Sequence, residues 1–139
     1  MTSPTPWPPF SAWLSVAIAG IIGSELRYSL GLIFPESATS FPFTTLLINV
    51  VGSLSLGALT GYWARRTVRW WIRAAFGPGL LGSFTTFSAV VYAIDHFAAT
   101  GQTTLWVLYL GLTLLAGLFA AWLGLRLGER WPRSEGSRA

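Results

Sequence analysis

Four long apolar runs make up most of this chain, and they leave it few ways to fold. They cover about residues 13–34, 41–63, 71–99 and 104–125. Each supplies the roughly 20 residues that a helix needs to cross a hydrocarbon core. The second and fourth contain no charged residue at all. The connections between runs are short, at residues 35–40, 64–70 and 100–103. Within hydrocarbon the backbone must satisfy its own hydrogen bonds, so helices are the structure open to such runs. The expected fold class is therefore an all-α membrane protein with four transmembrane helices. Only 10% of the residues are charged, against about 25% in an average soluble domain.

The domain plan follows from the same pattern. Residues 1–12 form a proline-rich N-terminus expected to be disordered, residues 13–125 a single membrane domain, and residues 126–139 a polar tail. The N-terminus lacks the basic segment and the small-residue cleavage site of a signal peptide. The absence of cysteine removes disulfides, thiolate nucleophiles and cysteine zinc sites. All nine basic residues are arginine, and eight fall in two places: Arg65, Arg66, Arg69 and Arg73 after the second run, and Arg126, Arg130, Arg133 and Arg138 after the fourth. With four spans these two regions lie on one side, together with the N-terminus. Arginine marks the cytoplasmic side, so both termini are expected in the cytoplasm of a multi-pass inner (plasma) membrane protein. Flanking arginines of this kind explain the basic balance without a nucleic-acid partner. The single histidine, His96, stands beside Asp95 and fits a helix end better than a metal site.

The third run is interrupted. Gly77 to Ser88 reads G-P-G-L-L-G-S-F-T-T-F-S, with three glycines and a proline where a helix should continue. A break at membrane depth persists only where protein or a wet cavity surrounds it. Broken membrane helices also free carbonyls and half-helix ends, from which ion sites are built. Moving or holding ions is the function this pattern points to.

Polar residues inside the runs are the candidates for that work, since buried polarity in a membrane is costly. Glu25 and Arg27 are two apart and do not face each other on a helix. Arg27 suits either a clamp on backbone carbonyls at a helix end or an attractive charge at an anion vestibule. Thr45, Asn49 and Ser53 form a polar stripe on the second helix, either hydrogen bonding between helices or lining a pore. Thr85, Thr86 and Ser88 either recover the freed carbonyls, or stand beside carbonyls that coordinate a cation. Phe84 and Phe87 have ring edges of partial positive charge that suit an anion. Small residues recur at four-residue spacing in Gly20 and Ser24, Gly57 and Gly61, and Gly117 and Ala121, the pattern of closely packed membrane helices. Trp63, Trp70, Trp71, Trp106 and Trp122 lie near span ends, as interfacial anchors do.

Three motifs carry a family resemblance. G-S-E-L-R-Y at Gly23 to Tyr28 resembles the G-A-x-x-R-[YF] motif of the Fluc (CrcB) fluoride channels. T-L-L-I-N-V-V-G-S at Thr45 to Ser53 resembles their T-L-x-x-N-x-x-G-[ST] motif. G-L-L-G-S-F-T-T-F-S at Gly79 to Ser88 resembles the G-x-x-G-G-x-T-T-F-S of their broken third helix. The resemblance covers about residues 13–125. It implies an antiparallel dimer of four-helix subunits with two narrow fluoride pores, and passive export of fluoride from the cytoplasm. It implies a structural sodium ion at the dimer centre, held by carbonyls at Gly82 and Thr85 of each copy. It assigns Asn49, Thr45, Phe87 and Arg27 to the fluoride path, with Tyr109 and Thr113 on the fourth helix. Beyond membrane lipid and fluoride, the implied partner is a second subunit.

Two departures stand out. The family pattern T-T-F-S-T-F has a second phenylalanine where this chain has Val90, which implies a missing station on the fluoride path. The one-sided arginines also suit a single orientation, whereas an antiparallel homodimer needs one sequence inserted both ways. This favours pairing with an oppositely oriented homologous subunit. Two other readings remain open: a non-conducting partner subunit of a fluoride channel, and a small four-helix proton-coupled multidrug exporter that uses Glu25. No nucleophile–base pair, metal cluster or phosphate loop suggests an enzyme.

Overall fold

A computed structural model describes residues 8–37 and 40–132. The expected tail arginines Arg133 and Arg138, and residues 1–7 of the N-terminus, lie outside the described residues. Helix α1 runs Phe10–Ile33 and α2 runs Phe43–Ala64. The third span, Trp70–Ala99, consists of α3 (Trp70–Ala74), a π-helical segment (Ala75–Leu81), α4 (Gly82–Phe84) and α5 (Ser88–Ala99). Helix α6 runs Thr103–Arg130. All four spans are long and apolar enough to cross a membrane. Helix α1 starts immediately after Pro9, so residues 10–12 are helical. Helix α6 continues five residues past the expected end at 125, through Arg126 to Arg130.

The spans pack as two parallel pairs. In the first, α2 lies against α6 along glycines on both helices. A Cβ at Gly57 or Gly61 would meet the carbonyls of Ala121 or Leu125, and one at Gly124 or Gly128 would meet those of Leu54 or Ala58, all closer than 3.0 Å. Backbone therefore touches backbone, the close approach that small residues allow in membranes. The Gly57/Gly61 row is thus an internal packing surface, and Gly124/Gly128 is its counterpart. In the second pair, α1 lies against the π-helical segment and α4. A Cβ at Gly23 would collide with Leu80 O, and one at Gly20 would sit 3.1 Å from Ser83 Oγ.

The G-P-G stretch widens the helix instead of stopping it. Proline in an α-helix removes a donor and drives its ring into the carbonyl four residues back. Here Pro78 sits in the π-helical turn, where the Gly82 N–H reaches back five residues to Gly77 O. The chain leaves the helix only at Thr85, with φ −75° and ψ 154°. It returns at Phe87, whose carbonyl accepts from Val91 N–H at 3.0 Å. The break therefore lies at the T-T-F end of the motif, later than the glycines themselves suggest.

Candidate functional site

Asn49 is what holds the break open. Its Nδ2 donates to Thr86 O at 2.9 Å, and its Oδ1 accepts from Thr86 N–H at 2.8 Å. In a continuous helix the Thr86 N–H would close a turn on the Gly82 carbonyl; it is given to Asn49 instead. The same diversion occurs three residues later. Ala89 N–H, which would close on Thr85 O, donates to the Thr86 hydroxyl at 3.2 Å. Gly82 and Thr85 thus carry carbonyls whose helical donors are taken by side chains. The Thr85 hydroxyl turns the other way and donates to Leu81 O at 2.9 Å. Both carbonyls are hard oxygen donors, the chemistry an alkali cation requires.

These residues line a groove of about 700 Å³ between α2, α6 and the broken span. Asn49, Ser53, Gly82, Thr85, Thr86, Phe87 and Thr113 all contribute to its wall. Phe87 is 63% exposed at this groove although it lies mid-span. A second N–H of the Asn49 amide remains after the bond to Thr86, because the group carries two donors. The amide therefore serves as the interhelical clamp and keeps one donor for another acceptor.

Three expected site residues lie outside the groove wall. Arg27 donates from Nε to Ser83 O at 3.2 Å, at the end of α4. This is the carbonyl clamp anticipated as one of its two roles. Thr45 is tied to Glu36, donating from its hydroxyl to Oε2 at 3.1 Å and from its N–H to Oε1 at 3.2 Å. The Thr44 N–H also donates to Glu36 Oε1. Glu36 is thus the acceptor for the first turn of α2, a stabilising place for a carboxylate. Sequence reasoning missed it, although a glutamate a few residues ahead of an uncapped Thr-Thr helix start is a readable signal. Tyr109 is fully buried and stands one turn before Thr113 on α6. Neither hydroxyl has a hydrogen-bond partner among the described residues. The Tyr109 ring is met edgewise by Phe41, with centroids 5.3 Å apart, and by Phe97 at 6.5 Å.

The remaining candidates separate cleanly. Glu25 is exposed on the surface of α1 and is not part of the groove wall. Val90 is 0% exposed, packed inside the subunit and away from the groove. His96 sits in the last turn of α5, where its carbonyl accepts from Thr100. Among the described residues no three His, Cys, Asp or Glu side chains are grouped to hold a metal.

Comparisons with known proteins identify relatives over most of the chain. A family described as "CrcB-like protein, Camphor Resistance (CrcB)" matches residues 14–125. The chain is 38% identical over 127 residues to "Fluoride-specific ion channel FluC 2" of Geobacillus kaustophilus, covering 89% of this chain and 97% of that protein. It is 39% identical over 128 residues to "Fluoride-specific ion channel FluC" of Deinococcus radiodurans, covering 87% and 98%. It is 38% identical over 120 residues to the protein of the same name from Acidobacterium capsulatum, covering 85% and 96%. The chain belongs to the CrcB family.

Proposed function

We propose that this chain is a passive, fluoride-selective ion channel that lets fluoride leave the cytoplasm and so lowers its toxicity. The observation that carries the reading is the groove built on the Asn49–Thr86 clamp, in a chain whose relatives are named fluoride-specific ion channels. Fluoride is small and strongly hydrated, so leaving water requires closely placed donors. The free Asn49 N–H, the Thr113 hydroxyl and the Phe87 ring edge at the groove wall are donors of that kind. None carries a full charge, which keeps binding weak enough for exit. Arg27 acts here through the Ser83 carbonyl it holds, as a support of the path, whereas Thr45 is bound to Glu36 outside the groove.

The groove is open on one side, and Phe87 is exposed in it. This supports a dimer in which a second subunit covers the break. Carbonyls of Gly82 and Thr85 from both copies would hold a sodium ion, which would supply a fixed positive charge. The arginine distribution supports cytoplasmic termini in the inner membrane. It also favours an oppositely oriented homologue as the partner over a second copy. The exporter reading needs Glu25 at a substrate path, and its exposure on α1 outside the groove gives that no support.

Fluoride efflux from liposomes is the test, with the chain alone and with an oppositely oriented homologue. Efflux that needs the homologue, and is lost on substituting Asn49 or Phe87, is the expected result. Efflux untouched by both substitutions would remove the pore assignment. A chain that purifies alone as a functional antiparallel dimer would remove the heterodimer. If the pair conducts whether or not this chain's pore residues are substituted, this chain is a supporting subunit. Efflux should survive Glu25→Gln.

A further inference from the structure

The arginine-rich ends of α2 and α6 enclose a second cavity, remote from the groove, of about 900 Å³. Its wall includes Arg65, Arg66, Arg126 and Arg130 and a single acidic residue, Glu129, so its formal charge is four minus one, or +3. Glu129 lies 3.8 Å from Arg126, the only ion pair among the described residues. Arg66 is fixed in place: it donates to Tyr62 Oη at 2.7 Å and to Pro132 O, and its guanidinium lies 4.1 Å over the Tyr62 ring. Arg65 and Arg130 are exposed at the same cavity. Guanidinium groups match phosphate oxygens with paired donors.

An apolar track leads out of this cavity along α6. Leu115, Phe119 and Trp122 are 72%, 62% and 52% exposed, and with Arg126 they follow at three- and four-residue spacing, hence on one helix face. From residue 115 to 126 a helix rises about 16 Å, half of the roughly 30 Å hydrocarbon core. That is the depth of one leaflet. A basic cavity at the interface, continuous with an exposed apolar stripe one leaflet deep, matches a molecule with an anionic head and an acyl chain.

We propose that this cavity binds an anionic phospholipid, its phosphate between Arg65, Arg66 and Arg130 and one acyl chain along Leu115, Phe119 and Trp122. The site does not depend on the fluoride reading. It places lipid at the junction of α2 and α6, the two helices that bring Asn49 and Thr113 to the groove wall.

The test is lipid retention by the purified full-length chain, read by native mass spectrometry from micelles holding equal phosphatidylglycerol and phosphatidylcholine. Phosphatidylglycerol should be retained preferentially. Substituting R65Q and R130Q together should lower its retention by at least about fivefold, since each arginine near an anionic lipid is worth about that factor. R65K with R130K should keep most of it, which separates lost charge from lost fold. Equal retention of both lipids, or undiminished phosphatidylglycerol on the R65Q/R130Q chain, overturns the proposal. Displacement of the lipid by an equal concentration of inorganic phosphate would show a site for a free anion and overturn it as well.

Discussion

The Asn49 side chain and the Thr86 backbone exchange two hydrogen bonds, 2.9 and 2.8 Å long, across 37 positions of sequence. One amide thereby replaces the helical partners of two backbone groups and fastens α2 to the broken span. A broken span needs such substitutes, because water is absent at that depth. Asn49 meets the need while leaving one N–H unspent. A single side chain therefore sets the shape of the break and keeps a donor at the groove beside it.

Replacing Asn49 by leucine strips both partners at once. Each buried unsatisfied group costs about 1–3 kcal/mol, so the subunit should lose roughly 2–6 kcal/mol. Thermal unfolding in detergent and fluoride efflux should both report it. Asn49→Asp is the sharper variant: it still accepts from Thr86 N–H but cannot donate to Thr86 O, and its charge repels an anion. It should melt above Asn49→Leu and conduct no better. An Asn49→Asp chain that conducts like the parent would separate the amide from the path.

The α2–α6 contact makes an opposite pair of outcomes. A Cβ at Gly124 would fall on Leu54 O, whereas one at Gly31 meets nothing within 4 Å. Gly124→Ala must push two backbones apart, and overpacking of this kind costs about 1–3 kcal/mol. Gly31→Ala should be neutral or slightly stabilising, since glycine in a helix costs about 0.5–1 kcal/mol relative to alanine. Melting temperatures of the two variants, measured side by side, check the packing. Equal behaviour would mean that the helices do not touch through Gly124.

Much of this was legible in the sequence, and the reasons differ by element. The four spans were readable because their apolar runs are long and their charges sit at the ends. The Asn49 stripe was readable as polarity out of place. The location of the break was not: Gly77, Pro78 and Gly79 look like the interruption, yet a π-turn absorbs the missing proline donor there and the chain parts at Thr85. The role of Glu36 was overlooked for another reason. A cap is a contact between a connection and a helix start, and apolar periodicity carries no trace of it. Gly124 and Gly128 were missed as a row because Arg126 stands between them and places Gly128 in the expected polar tail.

Glu36 accepts from Thr44 N–H, Thr45 N–H and the Thr45 hydroxyl. Glu36→Ala should cost about 0.5–2 kcal/mol, the usual loss for a helix cap. Because Thr45 is released rather than removed, fluoride efflux per folded protein should not fall. Efflux normalised to protein that elutes as a single species is the measurement. A fall beyond the loss of folded material would make Glu36 part of the conduction path.

Val90 decides what the departure from the family pattern means. The sequence alone suggests that a phenylalanine at this position would restore a missing station on the fluoride path. Val90 is instead fully buried within the subunit, as are Phe97 and Tyr109. A larger ring at 90 has to displace packed neighbours, which costs about 1–3 kcal/mol in a well-filled interior. Val90→Phe should therefore lower the melting temperature and leave efflux per folded protein unchanged or reduced. A variant that keeps its stability and gains efflux would mean that position 90 reaches the path. The path would then run through the subunit interior and not along the groove that Phe87 faces.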